Sequence, residues 1–126
     1  MGTFVIRETN GKFNFRLKAN NGEIILVSQQ YKDLRFCKDG ISSVRANAAL
    51  AAVEDQTVAD YQPQKHPKFE MYQDAGGDIR FRLKAKNGQV IAVSQAYKAA
   101  ESCLNGISSV QQNAPDAQEE MEESAP

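Results

Sequence analysis

A chain of 126 residues with 41% apolar and 25% charged residues has the size and composition of one ordinary soluble domain, which excludes collagen-like, mucin-like and wholly disordered classes. No apolar run approaches the roughly 20 residues of a membrane-spanning helix. The start, Met1-Gly2-Thr3-Phe4-Val5-Ile6-Arg7, carries neither the basic nor the long apolar stretch of a secretory signal, so a cytoplasmic location is expected.

The net charge of −1 conceals an asymmetry: residues 116–126 hold five of the 16 carboxylates and no Lys or Arg, leaving residues 1–115 with 15 basic against 11 acidic side chains. A mildly basic body is thus expected to end in a disordered acidic tail over 116–126. Two cysteines, Cys37 and Cys103, and one histidine, His66, are too few for a disulfide scaffold or a zinc site. Both cysteines read as small core residues.

In chain order, Phe4 to Arg7 predicts a strand that turns at Asn10-Gly11 into Phe13 to Lys18, where apolar and polar residues alternate with the period of a half-buried strand. The next strand, Glu23 to Ser28, is apolar on both parities, so its inward face depends on the hairpin register. We expect a three-residue turn, Asn20-Asn21-Gly22, with Gly22 in the left-handed region. It would pair Leu17 with Ile25 and set Phe15 beside Val27 on the inner face. After Tyr31 the period changes: Leu34, Cys37, Ile41, Val44 and Ala48 are spaced as one face of a helix, with Asp33 placed to cap it. Gly40 falls inside that helix, which predicts close approach of the helix to the sheet.

Residues 81–114, FRLKAKNGQVIAVSQAYKAAESCLNGISSVQQNA, repeat residues 15–48, FRLKANNGEIILVSQQYKDLRFCKDGISSVRANA, at a constant offset of 66 without a gap. The better preserved pair, Ile25 and Val27 recurring as Ile91 and Val93, is what selects the register above. Each copy is short for an independent core. The two are therefore expected to share one core within a single domain, 1–115, made of repeat one (about 3–50), a connector (about 51–66) and repeat two (about 67–115). A short strand near Val53 or Val58 is expected in the connector. Each repeat reads as β-β-β-α with an optional extra strand after the helix, an α+β architecture in which the two helices pack on one face of an antiparallel sheet.

The pattern F-x-L-K-A-x-N-G-x-x-I-x-x-S, a Tyr, then G-I-x-S-V-x-x-N-A, present twice, resembles the YegP-like family of small bacterial tandem-repeat proteins over roughly residues 3–115. The resemblance implies tandem β(3)-α-β repeats, with a fourth strand following each helix, that together form one shared, mostly antiparallel sheet. The family has no established biochemical activity, so it implies no catalytic residue, cofactor or metal. The chain departs from the pattern at Ala49, where the family often has proline, and after Pro115, where the sequence runs into acid.

Two groups of residues stand out as candidate sites. Arg16, Lys18, Arg80, Arg82 and Lys84 fall on the outer strand face, where an anion or a nucleic acid could bind. The exposed aromatics that stack bases on strand platforms are missing there. Ser28 and Tyr31, repeated as Ser94 and Tyr97, fall at the strand-to-helix junction, a candidate ligand pocket. With one histidine and no nucleophile–base frame, an enzyme is not expected. The sequence reads as a small non-enzymatic interaction module, expected to be monomeric, with another protein as partner. Nucleic acid is the less favoured alternative, and no membrane is implied.

Overall fold

Asn10 and Gly11 both adopt positive φ, 52° and 79°, the conformation that lets a two-residue loop follow the right-handed twist of its strands. They join β1 (Thr3–Thr9) to β2 (Lys12–Lys18). The computed structural model describes residues 2–122. β3 (Ile24–Ser28), α1 (Leu34–Ala48) and β4 (Ala52–Asp55) complete the first repeat. The second comprises β5 (Lys68–Gln73), β6 (Ile79–Lys84), β7 (Val90–Val93), α2 (Ala100–Asn113) and β8 (Gln118–Met121).

All eight strands form one sheet in the order β4-β5-β6-β7-β3-β2-β1-β8. The pairs β4/β5 and β8/β1 are parallel and the others antiparallel. The fold is the expected α+β arrangement of tandem repeats. Each repeat gives its last strand to the other: β4 follows α1 yet pairs with β5, and β8 follows α2 yet pairs with β1. The repeats meet at the sheet centre through Val27↔Val93 and Ser28↔Ala92. Phe4, Phe15, Leu17, Phe69, Phe81 and Leu83 are fully buried, and so are Cys37, Val44, Cys103 and Val110 of the helices. One continuous core results.

The turn before β3 is as expected, with Gly22 at φ 88° and Ala19 and Glu23 closing it. The register beyond it differs. Lys18 pairs with Ile24, but Leu17 pairs with Leu26, because a bulge at Ile25 inserts an extra residue. Both Ile25 and Leu26 are buried as a result, which explains a strand that is apolar on both parities. Val27 faces outward opposite Arg16 and does not join Phe15. It is preserved as Val93 because those two residues pair at the junction between repeats.

Asp33 caps α1 by accepting the Phe36 amide at 3.1 Å, whereas Ala99 gives α2 no side-chain cap. Gly40 admits Tyr31: a Cβ there would stand 2.9 Å from Tyr31 Cζ and 3.1 Å from Phe15 Cε2. The close approach is that of a tyrosine ring, and it recurs at Gly106 with Tyr97.

Two boundaries change. Ala52–Asp55 takes part of the expected connector into β4, which contains Val53 but not Val58. Gln118–Met121 forms β8 where a disordered tail was expected. An open strand edge binds backbone regardless of side-chain polarity. Arg45 (3.4 Å) and Lys38 (3.9 Å) also meet Glu119, and Arg7 meets Glu122. The rest of the tail expectation, 123–126, lies outside the described residues.

Candidate functional site

Because the exchanged sheet sets the helix of one repeat beside the hairpin of the other, the molecule has two clefts related by its internal symmetry. The larger, about 540 Å³, lies between α1 and the β6–β7 hairpin. The smaller, about 340 Å³, lies between α2 and the β2–β3 hairpin. Tyr31, Gly40, Ser43, Asn87 and Ile91 of the first correspond at the repeat offset to Tyr97, Gly106, Ser109, Asn21 and Ile25 of the second. The walls have diverged at Phe36, Asp39 and Gln89, which become Ser102, Asn105 and Glu23. The larger cleft is therefore the more apolar in its aromatic wall, and it keeps Lys32 and Asp39, neither of which forms an ion pair among the described residues. A hollow of about 370 Å³ shares Ser43, Ala85 and Asn87 with it and extends the groove along α1 to the exposed Leu50.

Of the candidate pocket residues, the tyrosines line the clefts and the serines do not. Ser28 Oγ accepts the Phe15 amide (2.9 Å) and donates to the Gln29 carbonyl (2.8 Å). Ser94 does the same with Phe81 and Gln95. These hydroxyls are occupied in holding the strand ends. Burial, followed by the nearby Cys37, raises the Tyr31 phenol above its ordinary range, with a smaller opposing effect from Gln29. It therefore enters the cleft as a neutral hydrogen-bonding group.

The five candidate basic residues divide between the halves. Arg80 is paired with Asp74 at 2.7 Å, and Arg82 and Lys84 with Glu70 at 2.5 and 3.4 Å. Arg82 also lies 4.5 Å from the centre of the Tyr72 ring. Arg16 and Lys18 form no ion pair among the described residues, and Arg16 Nε is enclosed without a hydrogen-bond partner there. The five do not make one continuous cationic face.

Sequence reasoning missed a buried charge cluster on the outer face. Lys68 Nζ meets Glu54 at 2.8 Å and Glu70 at 3.1 Å, and Glu54 also accepts the Gln64 amide at 2.7 Å and the Gln56 side chain at 2.6 Å. Burial pushes the Glu54 carboxyl up, but these hydrogen bonds, led by Lys68, outweigh it and hold the group down at about 2. The alternation Lys68-Glu70 was visible in the sequence; its approach to Glu54 depends on the strand exchange.

A profile of the family described as "Domain of unknown function (DUF1508)" matches residues 8–55 and 74–120, one match per repeat. The chain belongs to this family. A DUF1508 relative from Stutzerimonas stutzeri, a "UPF0339 protein in ptx operon 5'region", is 40% identical over 117 residues, 92% of each chain. A UPF0339 protein of Methanosarcina acetivorans is 64% identical over 50 residues, 40% of this chain and 86% of that one. The solution structure of the protein of unknown function yegP from E. coli superimposes with a TM-score of 0.78 at 32% identity, covering 99% of this chain and 96% of that one. These relatives are uncharacterised, and the yegP structure shares the fold of this chain over both repeats. No helix among the described residues is long and apolar enough to cross a membrane.

Proposed function

We propose that the protein is a non-enzymatic interaction module of the cytoplasm that receives a segment of a partner protein in the cleft between α1 and the β6–β7 hairpin. The observation that carries this reading is the composite groove, about 540 Å³, walled by one repeat's helix and the other repeat's hairpin. Phe36 and Val90 stand exposed at its margins and Leu50 at its extension. Exposed aromatic and aliphatic anchors around a preformed groove, flanked by amides and single charges, suit a protein segment. The cleft lining offers hydroxyls, amides, Lys32 and Asp39, and no imidazole or thiol that would act as base or nucleophile.

The alternative, an anion or nucleic-acid surface on the outer face, draws support only from Arg16 and Lys18, since Arg80, Arg82 and Lys84 already have acidic partners.

The test is site-specific photo-crosslinking in cells from a benzophenone side chain at Phe36, with the equivalent Ser102 as the comparison. A discrete protein adduct at Phe36 that disappears when Ser43→Trp fills the groove supports the reading. Adducts of equal yield from Ser102, or insensitive to Ser43→Trp, contradict it.

A further inference from the structure

β4 and β8 occupy equivalent places at the two edges of the sheet, 66 residues apart in sequence, each parallel to the first strand of the other repeat. They are held in different ways. β4 continues into the connector, and its Glu54 is buried in the Lys68–Glu70 cluster under the Gln64 amide. In the other half, Thr3 and Val5 stand where Lys68 and Glu70 stand, so among the described residues no such cluster holds Glu120, the counterpart of Glu54. A hollow of about 510 Å³ opens there instead, bounded by Thr3, Val5, Lys18 and β8. All four residues of β8 are exposed. The strand is attached by its parallel ladder to β1, Thr3↔Gln118 to Ile6↔Met121, by flanking backbone bonds from Gln118 to Gly2 (3.2 Å) and from Glu122 to Ile6 (2.8 Å), and by ion pairs at the surface.

The cations are placed for a strand of this composition. Lys38 and Arg45 reach the edge from α1 and meet Glu119, while Arg7, with Arg16 and Lys18 nearby, faces Glu122 from the sheet. We infer that the β1 edge is a docking surface for an acidic extended segment of a partner protein, and that Gln118–Glu122 occupies it as a displaceable internal strand. The β1 backbone supplies the ladder, as in strand addition to other sheet edges, and the cations on both sides select for acid. The opposite edge, with its buried cluster, stays closed.

The experiment adds a fluorescein-labelled peptide of residues 116–126, DAQEEMEESAP, to the full-length chain and follows anisotropy. In wild type the internal strand competes and binding is weak. Glu119→Lys with Glu122→Lys weakens that strand without touching the receptor edge, so peptide affinity rises by at least about tenfold and falls again as salt screens the charges. Adding Arg7→Glu to this variant removes the gain. Unchanged affinity in the double variant overturns the proposal, as does a single-stranded oligonucleotide that binds the freed edge more tightly than the peptide. Amide hydrogen exchange on the unmodified protein provides a second measurement: the β8 amides exchange at least about tenfold faster than those of β4. Equal protection of the two edge strands overturns the proposal as well.

Discussion

Gly40 lies in the middle of α1, where helix propensity alone would favour alanine by about 1 kcal/mol. The Tyr31 ring that crosses it stacks on Phe15, with centroids 6.4 Å apart, and the Tyr31 backbone is tied to Phe13, so the ring has little room to retreat. Gly40→Ala is therefore expected to destabilise the protein by about 1–3 kcal/mol in urea unfolding, overpacking outweighing propensity; a stabilised variant would contradict the packing. The thiols of Cys37 and Cys103 are each pushed up to about 11, first by burial and then by Glu119 and Asp55 respectively. Both residues are fully buried, and native-state labelling by a thiol reagent at pH 8 is expected to be far slower than for free cysteine. Glu54 acts in the acid range. Its folded carboxyl is held at about 2 against an ordinary 4.5, so the unfolded chain takes up the proton first. The stabilisation is complete above pH 4.5 and is lost as the pH falls towards 2. Urea midpoints measured across that window should fall in wild type and fall less steeply in Glu54→Gln.

The hairpin between β2 and β3 shows what a period can and cannot reveal about an element. The turn, the strands and the helical stripe of Cys37, Ile41 and Val44 were legible because each follows from local chemistry. The bulge at Ile25 was not, since the preservation of Val27 as Val93 pointed to the inner face when its cause was the pairing of those residues across the junction. Substitution separates the two registers. Leu26→Ala is expected to cost about 2–5 kcal/mol as a core truncation, and the outward Val27→Thr under about 1 kcal/mol. A Val27→Thr cost as large as that of Leu26→Ala would restore the inward register. β8, implied by the family resemblance, was illegible in its own residues for another reason: QEEM carries almost no apolar signal, and the strand forms through backbone pairing to β1 and ion pairs to Arg7, Lys38 and Arg45.

At the scale of the whole molecule, the duplication was plain in the sequence, but the exchange of last strands was not, because nothing in the local pattern of Ala52–Asp55 states which neighbour it will choose. That choice makes the candidate site. The tyrosines of the clefts were foreseen at the strand-to-helix junction, while the opposing walls, Asn87 to Ile91 and Asn21 to Ile25, come from the other repeat and required the topology. Neither cleft exists in an isolated repeat. Residues 1–57, the first repeat alone, would leave β1, β3 and β4 without the neighbours that β8, β7 and β5 provide. The most direct measurement is the thermal unfolding of that fragment by circular dichroism across a concentration series, with sedimentation equilibrium to fix its mass. If the two repeats form one interlocked unit, the fragment is unfolded when monomeric and folds only on pairing with a second copy, so its midpoint rises with concentration. A folded monomer with a cooperative, concentration-independent transition would contradict the account.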